Sequence, residues 1–278
     1  MEENRQKRSP KWVLMVSIVI VVAVVLMNLL WSWAFGQKPT YQRTHSVTQY
    51  ELPRRLTDRP EQLLKKEGFV ISFNSETNCP NYVAWYLTAS RAKARSVHRK
   101  DEFNGDLQIP ANRRVETQDY YNSRYDRGHM CPSGDNKHSR RAMDDCFLMT
   151  NMCPQAHALN IGAWNDLEQE CRRWAKNYGA VAIVCGPIYD SKSPQRFGRR
   201  GHRVAVPDRF FKVVLMRGRI PKAIGFIYPN RNATRPMRNY AVSVDEVERL
   251  TGIDFFYQLD DKTENRIEAE CNPAAWNL

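Results

Sequence analysis

The sequence predicts an α+β fold with a mostly antiparallel central sheet and flanking helices. Three observations predict it. Runs rich in β-branched and aromatic residues recur at 69–73, 82–87, 180–185, 203–206, 210–216 and 222–228. Helical spacing is confined to a few stretches, 160–178 and 243–250 foremost. Strands and helices do not alternate regularly, which separates the chain from doubly wound parallel folds. With 42% hydrophobic and 26% charged residues in 278, the composition is that of a globular protein and excludes disordered, collagen-like and coiled-coil chains. No repeat divides it, so one large domain is expected beyond the N-terminal segment.

Residues 1–11 form a basic tail carrying Arg5, Lys7, Arg8 and Lys11. The run 12–35 is almost wholly apolar, with Trp12 at one end and Trp31 and Trp33 at the other. About 20 such residues span a bilayer as a helix, and Trp favours its interfaces. This predicts a transmembrane signal anchor contacting the lipid bilayer. The cations ahead of it place the tail in the cytoplasm and the rest of the chain on the extracytoplasmic side. The alternative is export after signal cleavage, since Ala34-Phe35-Gly36 is a small-x-small sequence. Residues 36–67, polar and punctuated by Pro39, Pro53 and Pro60, read as a linker, and 68–278 as the folded domain.

Within that domain 69–73 and 82–87 pair as strands across a turn-rich Asn-Ser-Glu-Thr-Asn-Cys-Pro-Asn stretch. A polar, basic segment runs over 89–125. Short helical turns are expected at 139–145 and an apolar strand at 146–150. The helix over 160–178 follows from Ile161, Trp164, Leu167, Cys171 and Trp174, with Gly179 as its C-terminal cap. The last helix starts at Ser243, with Glu246 at the capping-box spacing, and ends before Gly252. The seven cysteines are an odd number, so at least one is unpaired within the chain, and no C-x-x-C zinc signature occurs.

The formal charge of +12, from 42 Lys or Arg against 30 Asp or Glu, points to polyanionic partners. A neutral His129, following Asp126, Arg127 and Gly128, can take a proton from water while a guanidinium holds an anion. Downstream, Asn160, Trp164, Glu168 and Arg172 recur every fourth residue and share one helix stripe. An amide oxygen and a carboxylate suit a hard ion such as Mg²⁺, which keeps most of its waters. Eight residues of helix separate Asn160 from Glu168 by roughly 12 Å. Asn160 would therefore bind the ion directly and Glu168, leaning toward the N-terminus, would reach one of its waters. By itself the stripe also fits an ordinary amphipathic helix with a capping Asn, a core Trp and an exposed Glu–Arg pair. A structural zinc site from His129, Cys131 and His157 has no matching spacing.

Asp126-Arg127-Gly128-His129, then Thr150-Asn151-Met152-Cys153-Pro154-Gln155, then Asn160-Ile161-Gly162-Ala163-Trp164 through Glu168 resembles the DNA/RNA non-specific endonuclease family, endonuclease G-like proteins with a DRGH motif. Val244-Asp245-Glu246-Val247-Glu248 and Thr251-Gly252-Ile253-Asp254-Phe255-Phe256 resemble its closing segment, so the likeness covers roughly 68–258. The resemblance implies a ββα-metal nuclease fold and hydrolysis of DNA and probable RNA substrates to 5′-phosphate products. His129 would be the general base and Asn160 the direct ligand of Mg²⁺, with Mn²⁺ or another divalent cation as substitutes. It further implies that Glu168 and Arg172 support the ion's waters and the phosphate, that Arg127 stabilises phosphate and that Asn151 orders the site. For an upstream phosphate-binding arginine, Arg91, Arg95 and Arg99 compete, and Arg95 is the choice. Family members often pair, which extends the expectation to a homodimer. The competing functional class is a membrane-anchored nucleic-acid-binding protein of a DNA uptake or attachment apparatus, which would need neither His129 nor Asn160.

Overall fold

Strict alternation of apolar side chains builds the sheet on which the rest of the chain is laid. The computed structural model describes residues 25–27 and 52–278. Residues 25–27 are helical and belong to a unit separate from the one built by 52–278. The predicted membrane segment 12–35 otherwise lies outside the described residues, and so does the basic tail. Among the described residues no helix is long and apolar enough to cross a membrane.

Seven antiparallel strands form the sheet in the order β1-β2-β3-β6-β9-β10-β11: β1 (Gln62–Lys66), β2 (Phe69–Asn74), β3 (Cys79–Thr88), β6 (Ala180–Ile188), β9 (Arg209–Met216), β10 (Lys222–Pro229) and β11 (Ala241–Val242), while β7 (Arg196–Phe197) and β8 (Val204–Ala205) pair apart from it. Two-residue periodicity sends Val83, Trp85 and Leu87 of β3 to one face and Tyr82 and Ala84 to the other. β6 divides likewise, with Val181, Ile183 and Cys185 on the first face and Ala182 and Val184 on the second. Both faces are therefore covered, each by its own helices and core.

The first face carries the DRGH segment. Asp126–His129 is itself a strand, β4, paired antiparallel with β5 (Met152–Gln155) so that Gly128 faces Cys153 and His129 faces Met152. A Cβ on Gly128 would collide with the buried Gln155 side chain, which is why this position tolerates no side chain. After β5 come a helical turn (His157–Leu159), a π-helical turn (Asn160–Trp164) and a regular helix, here α3 (Asn165–Tyr178), capped by Gly179 at φ 87°. Two strands and a helix thus form one ββα unit. It lies over β3, β6 and β9 through Trp164, Leu167, Cys171 and Trp174. The earlier short helices are α1 (Ala89–Lys93) and α2 (Arg140–Cys146). Beyond β10, α4 (Val244–Thr251) and α5 (Asp261–Ala269) cover the second face through Val244, Val247 and Ile267.

Four features depart from the sequence reading. The segment read as linker carries β1, whose Lys66 forms a buried pair with Asp106 at 2.6 Å. The apolar stretch expected as a strand at 146–150 is instead the end of α2 and a short 3-10 turn (Met149–Asn151), held to the core by burial and not by a ladder. Ile161, expected on the buried helix face, is 60% exposed, because the wider π turn with its break at Gly162 shifts the phase of the residues before α3. The polar α5 escaped notice, although Asp260 caps it by accepting from the Thr263 N–H.

Candidate active site

The ββα unit opens a cleft of about 650 Å³ whose lining includes Arg99, Asp126, Arg127, His129, Asn160, Glu168 and Arg172. Of the residues singled out from sequence, the fold brings His129, Arg127, Asn160, Glu168 and Arg172 together. Asn151 and Arg95 are not among the lining residues.

His129 ends β4, half-buried, between two aromatic rings: Phe147 edge-on at 4.9 Å and Phe103 at 5.7 Å. Guanidinium groups cap this stack, Arg127 at 4.1 Å over Phe103 and Arg99 at 5.3 Å over Phe147. The backbone carbonyl of His129 accepts from the Trp164 indole N–H at 3.3 Å, which ties the strand end to the helix. Nε2 is buried with no hydrogen-bond partner among the described residues. Burial first, and then the positive charge of Arg99 and Arg127, hold the imidazole down to about 3. The ring is therefore neutral at physiological pH, the protonation state a base requires.

Asn160 owes its orientation to Asp126. Its Nδ2 donates to the Asp126 carboxylate at 2.8 Å, and the same oxygen lies 2.9 Å from His157 Nδ1. The amide nitrogen is thus committed and the amide oxygen is the atom left for a ligand. Glu168 supplies a carboxylate in the same cleft, and no trio of His, Cys, Asp or Glu ligand atoms gathers there among the described residues. One amide oxygen and one carboxylate fit a largely hydrated divalent cation and do not fit zinc, whose structural sites use four protein ligands.

Beneath the cleft lies a buried charge network. Asp135 accepts from Arg172 Nη1 at 2.9 Å and from the Trp85 indole at 3.0 Å, fixing the guanidinium at the cleft wall. Lys212 is 0% exposed on β9, its Nζ 4.3 Å from the centre of the Trp164 ring and without a hydrogen-bond partner among the described residues. Burial pushes the Glu168 carboxyl up to about 7, against the opposing charges of Lys212 and Arg172. Asn151 is buried and fully engaged: it donates to the Cys131 and Cys146 carbonyls at 2.9 and 2.8 Å and accepts from the Cys131 N–H at 3.0 Å. It orders the backbone after β4 and touches nothing in the cleft.

Among the three upstream arginines the structure separates the roles. Arg91 is spent on backbone carbonyls of Gly68, Tyr86 and Asp135. Arg95, the choice from sequence, hydrogen-bonds the Ala94 carbonyl and is not among the residues lining the cleft, whereas Arg99 is. Arg99 reaches the cleft beside Ser133, to which it donates at 3.2 Å. Sequence reasoning missed Asp126 as orienter of Asn160, Asp135 and Lys212. For Lys212 a signal existed, a lysine inside the otherwise apolar run 210–216 of β9. All seven cysteines are free thiols, and Cys153, on β5, is buried.

The acid side of the pH profile follows from these groups. His129 stays neutral far below pH 6, so it does not set the acid limb. Glu168, raised to about 7, loses its negative charge as pH falls through that value. The acid limb of kcat/KM is therefore expected near pH 7, and Glu168→Gln removes it while lowering the plateau. A limb unchanged in Glu168→Gln would assign it to another group.

Residues 53–262 match the family of DNA/RNA non-specific endonucleases. The chain is 33% identical over 233 residues to the mitochondrial nuclease of Saccharomyces cerevisiae, covering 76% of this chain and 70% of that one. Against mitochondrial endonuclease G of Caenorhabditis elegans the identity is 36% over 211 residues, 71% of this chain and 68% of the other. The fold also matches a crystal structure of the EndoG/EndoGI complex, with a TM-score of 0.68 and 30% identity over 73% of this chain and 89% of that chain.

Proposed function

The chain belongs to the DNA/RNA non-specific endonuclease family, and from that premise we propose that its cleft hydrolyses phosphodiester bonds of DNA and RNA with His129 as general base. The observation that carries the reading is the meeting, in one basic cleft, of a neutral His129 with an Asn160 oriented by Asp126. His129 takes the proton of the attacking water. Arg127 and Arg172 hold the phosphate oxygens, Arg172 at a position set by Asp135, and Arg99 offers a further guanidinium. When bound, a divalent cation such as Mg²⁺, held by Asn160 and through its waters by Glu168, supplies charge neutralisation as the 3′-oxygen leaves. Release of that oxygen gives 5′-phosphate ends.

Because these contacts read phosphate, they carry no base sequence. Tyr121 and Tyr125 at the cleft offer aromatic faces on which bases of either nucleic acid can stack. The +10 that remains beyond the basic tail draws polyanionic substrate. Membrane anchoring through 12–35, with the nuclease on the extracytoplasmic side, is part of the same proposal and is supported by the length of that apolar run and the cations before it. Relatives named as mitochondrial nucleases support an organelle as the alternative setting. Homodimerisation rests on family likeness alone.

Incubating the full-length chain with plasmid and with single-stranded RNA, with Mg²⁺ or with chelator, tests the function. Both substrates should be cut in Mg²⁺, leaving 5′-phosphate ends, and spared in chelator. Intact substrates under every Mg²⁺ and pH condition, with binding retained, would instead support the attachment-protein reading.

A further inference from the structure

We propose that α4 and α5, on the sheet face opposite the cleft, carry a second divalent-cation site of calcium type built from Asp245, Glu248 and Glu268. Seating the two helices through Val244, Val247 and Ile267 brings these three carboxylates together. One oxygen of each lies within 4.8 Å of the others. Three oxygens up to about 4.5 Å apart share a centre at the Ca²⁺ ligand distance of about 2.6 Å, so at most a closure of a few tenths of an ångström seats one ion among all three. Three protein carboxylates suit Ca²⁺, which takes six to eight oxygens in flexible geometry, better than Mg²⁺, which keeps several waters and uses one or two carboxylates.

The second observation is Glu268 itself. It is only 5% exposed, and its Oε1 is buried with no hydrogen-bond partner among the described residues. A buried carboxylate oxygen without a partner is costly and calls for a counter-charge. Among the described residues Glu268 forms no ion pair, while Arg54 pairs with Asp254 at 2.6 Å and Arg249 with Glu246 at 2.7 Å. Burial and the carboxylates of Glu248, Glu264, Asp245 and Asp254 hold the Glu268 group far above its ordinary range. A proton neutralises one carboxylate at a time, whereas one divalent ion offsets two of the three charges at once and pins α4 to α5. Glu248 is already fixed for this, since its Oε1 accepts from the Phe255 N–H at 2.7 Å.

The test is the melting temperature of the full-length chain, stripped of metal and titrated with Ca²⁺ into the millimolar range. Wild type should rise by roughly 3 °C, Asn160→Ala should rise equally, and Glu268→Gln should not respond. Should Glu268→Gln fail to fold, the exposed Asp245→Asn decides, with a Ca²⁺ midpoint about tenfold higher as the expected result. An equal rise in wild type and in the Glu268→Gln or Asp245→Asn protein, a rise abolished by Asn160→Ala, or no rise in wild type would overturn the site. Cleavage by wild type is read separately, so failure here leaves the nuclease reading standing.

Discussion

Replacing His129 by alanine lowers the rate of plasmid cleavage by about 10²–10⁴-fold, the usual worth of a positioned general base, while nucleic-acid binding stays near wild type. In barrier terms this is about 3–5 kcal/mol. The split is expected because the guanidinium groups that line the cleft, those of Arg127, Arg172 and Arg99, are left in place. The ring also packs between Phe103 and Phe147, so a melting curve must accompany the rate. Full cleavage by a folded His129→Ala protein removes the residue from the base role.

Asn160→Ala should cost at least about 10²-fold in cleavage, because it deletes the amide oxygen offered to the cation and with it several kcal/mol of charge stabilisation. Asp126→Ala provides the graded counterpart. Asn160 then keeps its oxygen but loses the carboxylate that turns it, so the Mg²⁺ concentration for half-maximal rate should rise about 10–100-fold while excess Mg²⁺ restores much of the rate. Equal losses in both variants, insensitive to Mg²⁺, would mean that Asp126 serves the fold of β4 and not the orientation of Asn160. Multiplying the His129→Ala and Asn160→Ala effects should overestimate the double variant, since the two residues act on one step.

The limits of sequence reading have physical causes visible at particular residues. The strands β2, β3, β6, β9 and β10 were legible because an antiparallel sheet covered on both faces demands long β-branched and aromatic runs. β1 was not, because an edge strand with Lys65 and Lys66 looks polar. The helix stripe of Asn160, Glu168 and Arg172 was legible by period, but its first turn is π-helical, and no periodicity rule anticipates the phase shift that exposes Ile161. Arg95 and Arg99 were indistinguishable in a polar segment without period. Only the fold sends one into the cleft and the other onto its neighbour's carbonyl.

The sequence by itself determined the class of fold and singled out the DRGH strand and the Asn160, Glu168 and Arg172 stripe as a candidate site, because these depend on residue type and short spacing. The tertiary structure decided which charges face which. Asp126 meets Asn160 from 34 residues away, Asp135 meets Arg172 across 37, and Lys212 comes under Trp164 from a strand on the sheet. These long-range contacts set how far each group is removed from water, and removal from water is what holds His129 neutral and Glu168 near pH 7. Protonation at this site is therefore a property of the fold that no local stretch of the chain encodes.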